Sequence, residues 1–247
     1  MKNETTLLYD GSFNGFLTAV YVAFEERLHV VGIEKNEQGQ NELFSETETI
    51  FTHVEKAKRV WNGVRQKSYN AITNIYFAYL SETKGIELML YGYIKELMTP
   101  KGTTSEFSGE TIAFITQLAQ KVSREKQRLE TSVKFDTTKD GVYFATLAPD
   151  FNVLPLLSKH FRTKHSDQEW VLYDVKRKYA VYYHLNQVEL VRLTLDEVSR
   201  TFGQGNKKAW HTHFKNEAIR SRIQRKVHPQ RVPTATYNPM QENRTAV

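Results

Sequence analysis

Near the start of the chain, Asp10-Gly11-Ser12-Phe13-Asn14-Gly15 gathers a carboxylate, a hydroxyl, an amide and two glycines. A turn of this kind between a strand and a helix can present backbone N–H groups to an anion at the helix N-terminus. The spacing fits none of the familiar motifs. A phosphate loop ends in Gly-Lys-Ser/Thr, the dinucleotide fingerprint needs GxGxxG where this chain has GxxxG, and a nucleophile elbow needs a residue between glycine and serine. The alternative is local: Asp10, Ser12 or Asn14 caps a helix and the glycines permit the turn. A second group, Glu125 and Arg128 in SREKQRLE, has the i,i+3 spacing of a charged helical face. If the chain is an enzyme, Asp10, Ser12, Glu125 and Arg128 are the candidate catalytic groups. Asp10 and Glu125 must then converge on one cleft, since a general base acts only within hydrogen-bond reach.

Metal chemistry finds little support. The chain has no cysteine, which excludes disulfides, thiol catalysis, cysteine-ligated zinc and a cysteine-held iron–sulfur cluster within it. His160 and His165 are five residues apart, and His211 and His213 two apart. Zinc sites on helices favour three or four, and no carboxylate cluster completes either pair. No metal and no cofactor is expected.

Charge is more informative. The 247 residues carry a net charge of +6, but residues 207–231 hold eight basic residues against the single acid Glu217. The remainder has 26 basic and 27 acidic residues, a net −1, so the whole excess lies in one segment. Such asymmetry points to a polyanion partner. Lys207, Lys208, Lys215, Arg220, Arg222, Arg225 and Lys226 are the expected phosphate contacts. A second basic stretch, Lys176-Arg177-Lys178, is expected as a solvent-facing turn that also holds the phosphate backbone. Around it Trp170, Tyr173, Tyr179, Tyr182 and Tyr183 offer stacking surfaces, with alternation assigning half of them to the core.

The elements that must position these residues follow from periodicity. Residues 5–9 read as a strand and 13–27 as a helix whose buried stripe is Phe13, Leu17, Val20 and Phe24. Residues 28–34 read as a second strand, and 46–97 as three short helices packed antiparallel. The Pro, Gly, Thr and Ser of 99–110 make a linker-like break, with Ser108 placed to cap a helix over 110–128. The period then changes to two, with a hairpin turning at Asp140-Gly141. A helix with Pro155 in its first turn follows, then a second hairpin turning at 175–178 and a strand near Leu190. The expected class is α+β: a short β start and a helix-rich first half, then an antiparallel sheet and a basic C-terminal helix. A region over 1–98 and a domain over 99–247 are the expected units, unless the two form one continuous domain. The first residues lack the apolar core of a signal peptide, and no apolar stretch approaches the ~20 residues of a membrane span. The expectation is a soluble cytoplasmic protein.

Five segments occur in a distinctive order: LLYDGSFNGFLTAVYVAFE, YLSETKGIE, LPLLSKHF, QEWVLYDVKRKYAVYY and a closing R-x-Q…VP-x3-Y. Together they resemble a bacterial family of DNA metabolism or repair proteins whose C-terminal part is a domain of unknown function. The resemblance runs from Leu7 to about Glu242. It implies a gene neighbour that is a radical S-adenosylmethionine (SAM) protein with a helix-hairpin-helix DNA-binding element, and fusion of the C-terminal domain to uracil-DNA-glycosylase-like modules. Two departures stand out. Gln127 replaces the histidine of a Glu-x-His-Arg motif, and only Tyr237 remains of an aromatic tail cluster, which puts catalysis at those positions in doubt.

These observations lead to a DNA-binding accessory protein in DNA modification or repair, acting with a radical SAM partner. An alternative is a glycosylase-like or nuclease-like enzyme using Asp10 and Glu125. A third is a scaffold that binds only protein.

Overall fold

A computed structural model of the chain describes residues 4–36, 46–99, 109–138 and 141–192. Ser108 and residues 207–231 lie outside them. The architecture is α+β.

Strand β1 (Glu4–Tyr9), helix α1 (Phe13–Glu25) and strand β2 (His29–Lys35) form a βαβ unit with β1 and β2 parallel. Strand β3 (Glu46–Thr49) pairs in parallel with the other side of β1, giving the order β2-β1-β3. The central place of β1 explains why Leu7 and Tyr9 are fully buried. The helical reading of the segment that begins at residue 46 is corrected here. Its first four residues, ETET, alternate with period two and include two β-branched threonines, which suits a short strand.

Helices α2 (Val54–Lys67), α3 (Tyr69–Tyr79), α4 (Ile86–Met98) and α5 (Gly109–Ser132) complete the first layer. Ser68 alone separates α2 from α3, closing one helix with its N–H and capping the next with its hydroxyl, which accepts from the Ala71 N–H. Gly85, at φ 76°, makes the left-handed turn that starts α4.

The second sheet runs in sequence order: β4 (Asp136–Thr137), β5 (Tyr143–Leu147), β6 (Trp170–Asp174), β7 (Tyr179–Tyr183) and β8 (Val188–Arg192). Three of its pairings are antiparallel, but β5 and β6 are parallel. The sheet is therefore mixed. Helix α6 (Leu154–Lys164), with Pro155 in its first turn, lies between β5 and β6 and carries the chain back to the starting edge.

Both faces of β6 are covered, since all five of its residues are buried. One face joins a hydrophobic cluster that runs from Leu7 to Tyr183, while Val171, Tyr173, Ala180 and Tyr182 build a separate cluster on the other. Trp170, Tyr173, Tyr182 and Tyr183 are thus core residues, which corrects their reading as stacking surfaces for bases.

Candidate functional site

The turn after β1 is built from its own polar groups. Ser12 is the N-cap of α1, its Oγ accepting from the Gly15 N–H at 2.9 Å. The Asp10 carboxylate folds over the same turn. Its Oδ1 accepts from the Ser12 N–H at 2.9 Å and its Oδ2 from the Thr52 hydroxyl at 2.9 Å. Gly11 supplies the positive φ of 75°. Gly15 matters for space: a Cβ there would lie 2.2 Å from Asp10 Oδ1 and 2.9 Å from Thr52 Oγ1. The Asp10–Thr52 bond joins the carboxyl ends of β1 and β3, where the strand order reverses, a place where open parallel sheets commonly hold ligands.

A buried chain of hydroxyls lies beneath. Tyr9 donates to Glu87 Oε1 at 3.0 Å and meets the Tyr79 hydroxyl at 3.3 Å, while Tyr79 donates to the Gly11 carbonyl at 2.8 Å. Burial pushes the Tyr9 and Tyr79 hydroxyls far above their ordinary pKa, so both remain protonated donors. Phe13 fixes the helix start from above, with ring centroids 4.9 Å from Tyr76, 5.0 Å from Tyr79 and 5.5 Å from Trp61.

Glu125 and Arg177 belong to a second polar centre, formed around residues 148–152. Glu125 is 7% exposed because it continues the buried stripe of Leu118, Val122 and Leu129. Its Oε1 accepts from the Asp150 N–H and its Oε2 from the Phe151 N–H, each at 2.8 Å. Arg128 Nη2 approaches Oε1 at 3.1 Å from a side chain that is 66% exposed. The carbonyls of the same segment face Arg177, whose Nη1 reaches Pro149 O at 3.3 Å and whose Nη2 reaches Asp150 O at 3.0 Å. Arg177 also donates to Glu82 Oε2 at 2.7 Å and to the fully buried Asp174 Oδ2 at 3.0 Å. Burial opposes the guanidinium charge, but these carboxylates outweigh it and raise its pKa. Asn152 completes the clasp. Its N–H donates to Leu80 O at 2.9 Å, its side-chain amide donates to Glu82 Oε1 at 3.0 Å, and Tyr179 donates to its Oδ1.

This geometry corrects the expected basic turn at its middle residue. Arg177 points inward into a set of acceptors, because Asp174, Glu82 and two carbonyls converge on it. Lys176 and Lys178 are exposed, and Lys176 Nζ lies 2.6 Å from Asp150 Oδ1. Hydrogen bonding to Lys176 is the main reason that the Asp150 pKa is lowered, with Arg128 and Arg177 adding to it. Asp10 and Glu125 have no hydrogen-bond partner in common.

Of the histidines, His165 is a packed ring, 5.4 Å from Phe135 and 5.5 Å from Tyr143, and burial lowers its pKa. His160 Nδ1 lies 3.8 Å from Glu130. Among the described residues, no group of three or more His, Cys, Asp or Glu side chains is placed to hold a metal. A cavity of about 220 Å³, lined by Glu26, Glu48, Phe51 and His53 among others, opens between α1 and β3. No helix among the described residues is long and apolar enough to cross a membrane. The expected contacts Lys207, Lys208, Lys215, Arg220, Arg222, Arg225 and Lys226, with His211 and His213, lie outside the described residues.

Sequence reasoning missed Glu82, Asn152, Asp174 and the Tyr9–Tyr79–Glu87 chain. For Glu87 a signal existed: it falls beside Ile86, Leu90, Tyr91 and Ile94 on the apolar face of α4. Asp174, at the end of the apolar strand WVLYD, was equally legible.

Among curated proteins, none matches the chain. A family model described as a domain of unknown function, DUF4130, matches residues 84–242. That span takes in α4, α5, α6, the whole second sheet and every clasp residue except Leu80 and Glu82, and on this match the chain belongs to the DUF4130 family.

Proposed function

We propose that this protein is a nucleic-acid-binding accessory protein in DNA modification or repair, working beside a radical SAM enzyme. The observation that carries the reading is the placement of charge: net +7 in residues 207–231 against −1 for all the rest. In the described body Arg177 is held internally by Glu82 and Asp174. By its charge, the 207–231 segment is the main phosphate-binding element of this reading. The ordered motifs of the sequence support the DNA context and the radical SAM partner. Without cysteines the chain has no thiolate ligands for a cluster, so the radical chemistry belongs to that partner. An accessory role is favoured over catalysis at Glu125, since both of its oxygens are engaged by backbone amides.

The test is equilibrium binding of a labelled DNA duplex across a salt series. With four or five phosphate contacts, log K falls with log salt at a slope of about −4. Arg220→Glu, Arg222→Glu and Arg225→Glu together are expected to remove most of the affinity. Unchanged affinity in that triple variant would refute the reading.

A further inference from the structure

Helix α5 carries a basic stripe that the fold leaves exposed. Lys121, Arg124 and Arg128 are spaced i, i+3 and i+7, which places them on one flank, and all three are exposed. Of the acids of α5 in the same stretch, Glu125 meets that flank at Arg128 alone, 3.1 Å away. Glu125 is turned into the clasp, and Glu130 lies on the opposite flank, 2.7 Å from Lys126 and 3.8 Å from His160. Lys121 and Arg124 hold no ion pair among the described residues.

Arg128 is the best defined of the three. Glu125 is anchored by two backbone amides, and it fixes the guanidinium through Nη2 while the side chain stays 66% exposed. A guanidinium held on one edge with its remaining N–H groups in solvent is pre-organised for a phosphate oxygen pair. The stripe also meets the β6–β7 turn. Arg128 and Lys176 both act on Asp150, and Asp150 is 77% exposed. An ion pair so exposed contributes little, so Lys176 can exchange Asp150 for another anion at small cost.

We infer that Lys121, Arg124, Arg128 and Lys176 form a second phosphate-binding surface on the folded body, which holds the backbone of the nucleic acid engaged by residues 207–231. This inference rests on the nucleic-acid reading and extends it from the C-terminal segment to the body. The stripe from Lys121 to Arg128 is about 10 Å long at 1.5 Å per helical residue. Projected on a duplex axis, that length spans roughly three phosphates of one strand, at about 3.4 Å of rise each. The turn lysine widens the surface beyond the helix. The ligand class is a phosphodiester backbone, contacted through the four cations of this surface.

The experiment is the salt dependence of duplex binding by the full chain, comparing wild type, Lys121→Gln/Arg124→Gln, Arg124→Gln/Arg128→Gln and the control Lys126→Gln. Each lost phosphate contact makes the log–log slope shallower by about 0.9. The expected result is a slope shallower by about 2 in either double variant and unchanged in Lys126→Gln. The first double variant touches no partner of the clasp, so it reports on binding even if loss of Arg128 weakens the fold. Equal slopes in wild type and both double variants would overturn the inference while leaving the function of residues 207–231 standing. A comparable change in Lys126→Gln would also overturn it, by showing that only total charge matters. Wild-type protein that fails to bind duplex would remove the nucleic-acid reading and this surface with it.

Discussion

Replacing Glu125 with alanine separates a structural carboxylate from a catalytic one. The side chain accepts from two part-buried backbone amides at 2.8 Å and from Arg128 at 3.1 Å. Truncation leaves both amides without an acceptor. Each unpaired donor costs about 1–3 kcal/mol, and because these are only part-buried the low half of that range applies. Alanine returns a few tenths through its helix propensity. The expected loss is about 3 kcal/mol, or roughly 6–12 °C in Tm for a chain of this size. Glu125→Gln keeps one acceptor oxygen but turns an NH2 toward the second amide, so it recovers only part of the loss. Arg128→Ala removes just the exposed partner and should stay within about 1 kcal/mol. Thermal and urea unfolding followed by circular dichroism measures all three. If Glu125→Ala unfolds within about 0.5 kcal/mol of wild type, the clasp is not a stabilising element and Glu125 is again a candidate for chemistry.

Arg177→Ala is expected to cost about 3–5 kcal/mol, since it strands the fully buried Asp174 with its charge partner gone. Arg177→Lys should rescue less than half, because an ammonium cannot reach Glu82, Asp174 and two carbonyls at once; a lysine variant as stable as wild type would contradict this. Alkaline pH provides a separate check. Burial raises the Tyr76 hydroxyl to about 12 and also raises those of Tyr9, Tyr79, Tyr179 and Tyr182. Below about pH 10 both folded and unfolded chains keep these protons. Above it only the unfolded chain loses them, so stability falls as pH rises from there. Tyrosinate absorbance should therefore climb in two stages, exposed rings first and buried rings together with loss of helical signal. Titration of all tyrosines near 10 in a folded chain would refute the buried hydroxyl network.

Local periodicity made much of the fold legible. The α1 stripe, the Pro155 helix start and the turn at 175–178 each depend on neighbours a few residues away. Strand β3 did not stand out, because four residues of ETET carry too short a pattern to compete with the helical sequence after them. The parallel step between β5 and β6 depends on where α6 packs, which spacing alone does not encode. For Glu125 the information was present: after Leu118 and Val122 the spacing places it on the buried face, but its charge argued for solvent. Arg177 was illegible in a different way. Three basic residues in a turn suggest a solvated tip, and the carboxylate that draws the middle one inward, Glu82, is 95 residues away in sequence. The aromatics of β6 and β7 were misjudged because alternation presumes one solvated face, whereas both faces here are packed.

The clasp also bears on where the chain can be cut. The family match starts at residue 84, yet the Leu80 carbonyl and the Glu82 carboxylate, just upstream, hold Asn152 and Arg177. The seam between the first layer and the second sheet is therefore sealed in part by groups that the matched segment does not contain. A fragment of this chain that starts at residue 84 lacks both groups, and Arg177 there keeps Asp174 but loses Glu82 as a carboxylate partner. Truncation is therefore constrained at that seam: a fragment that keeps the clasp starts no later than Leu80.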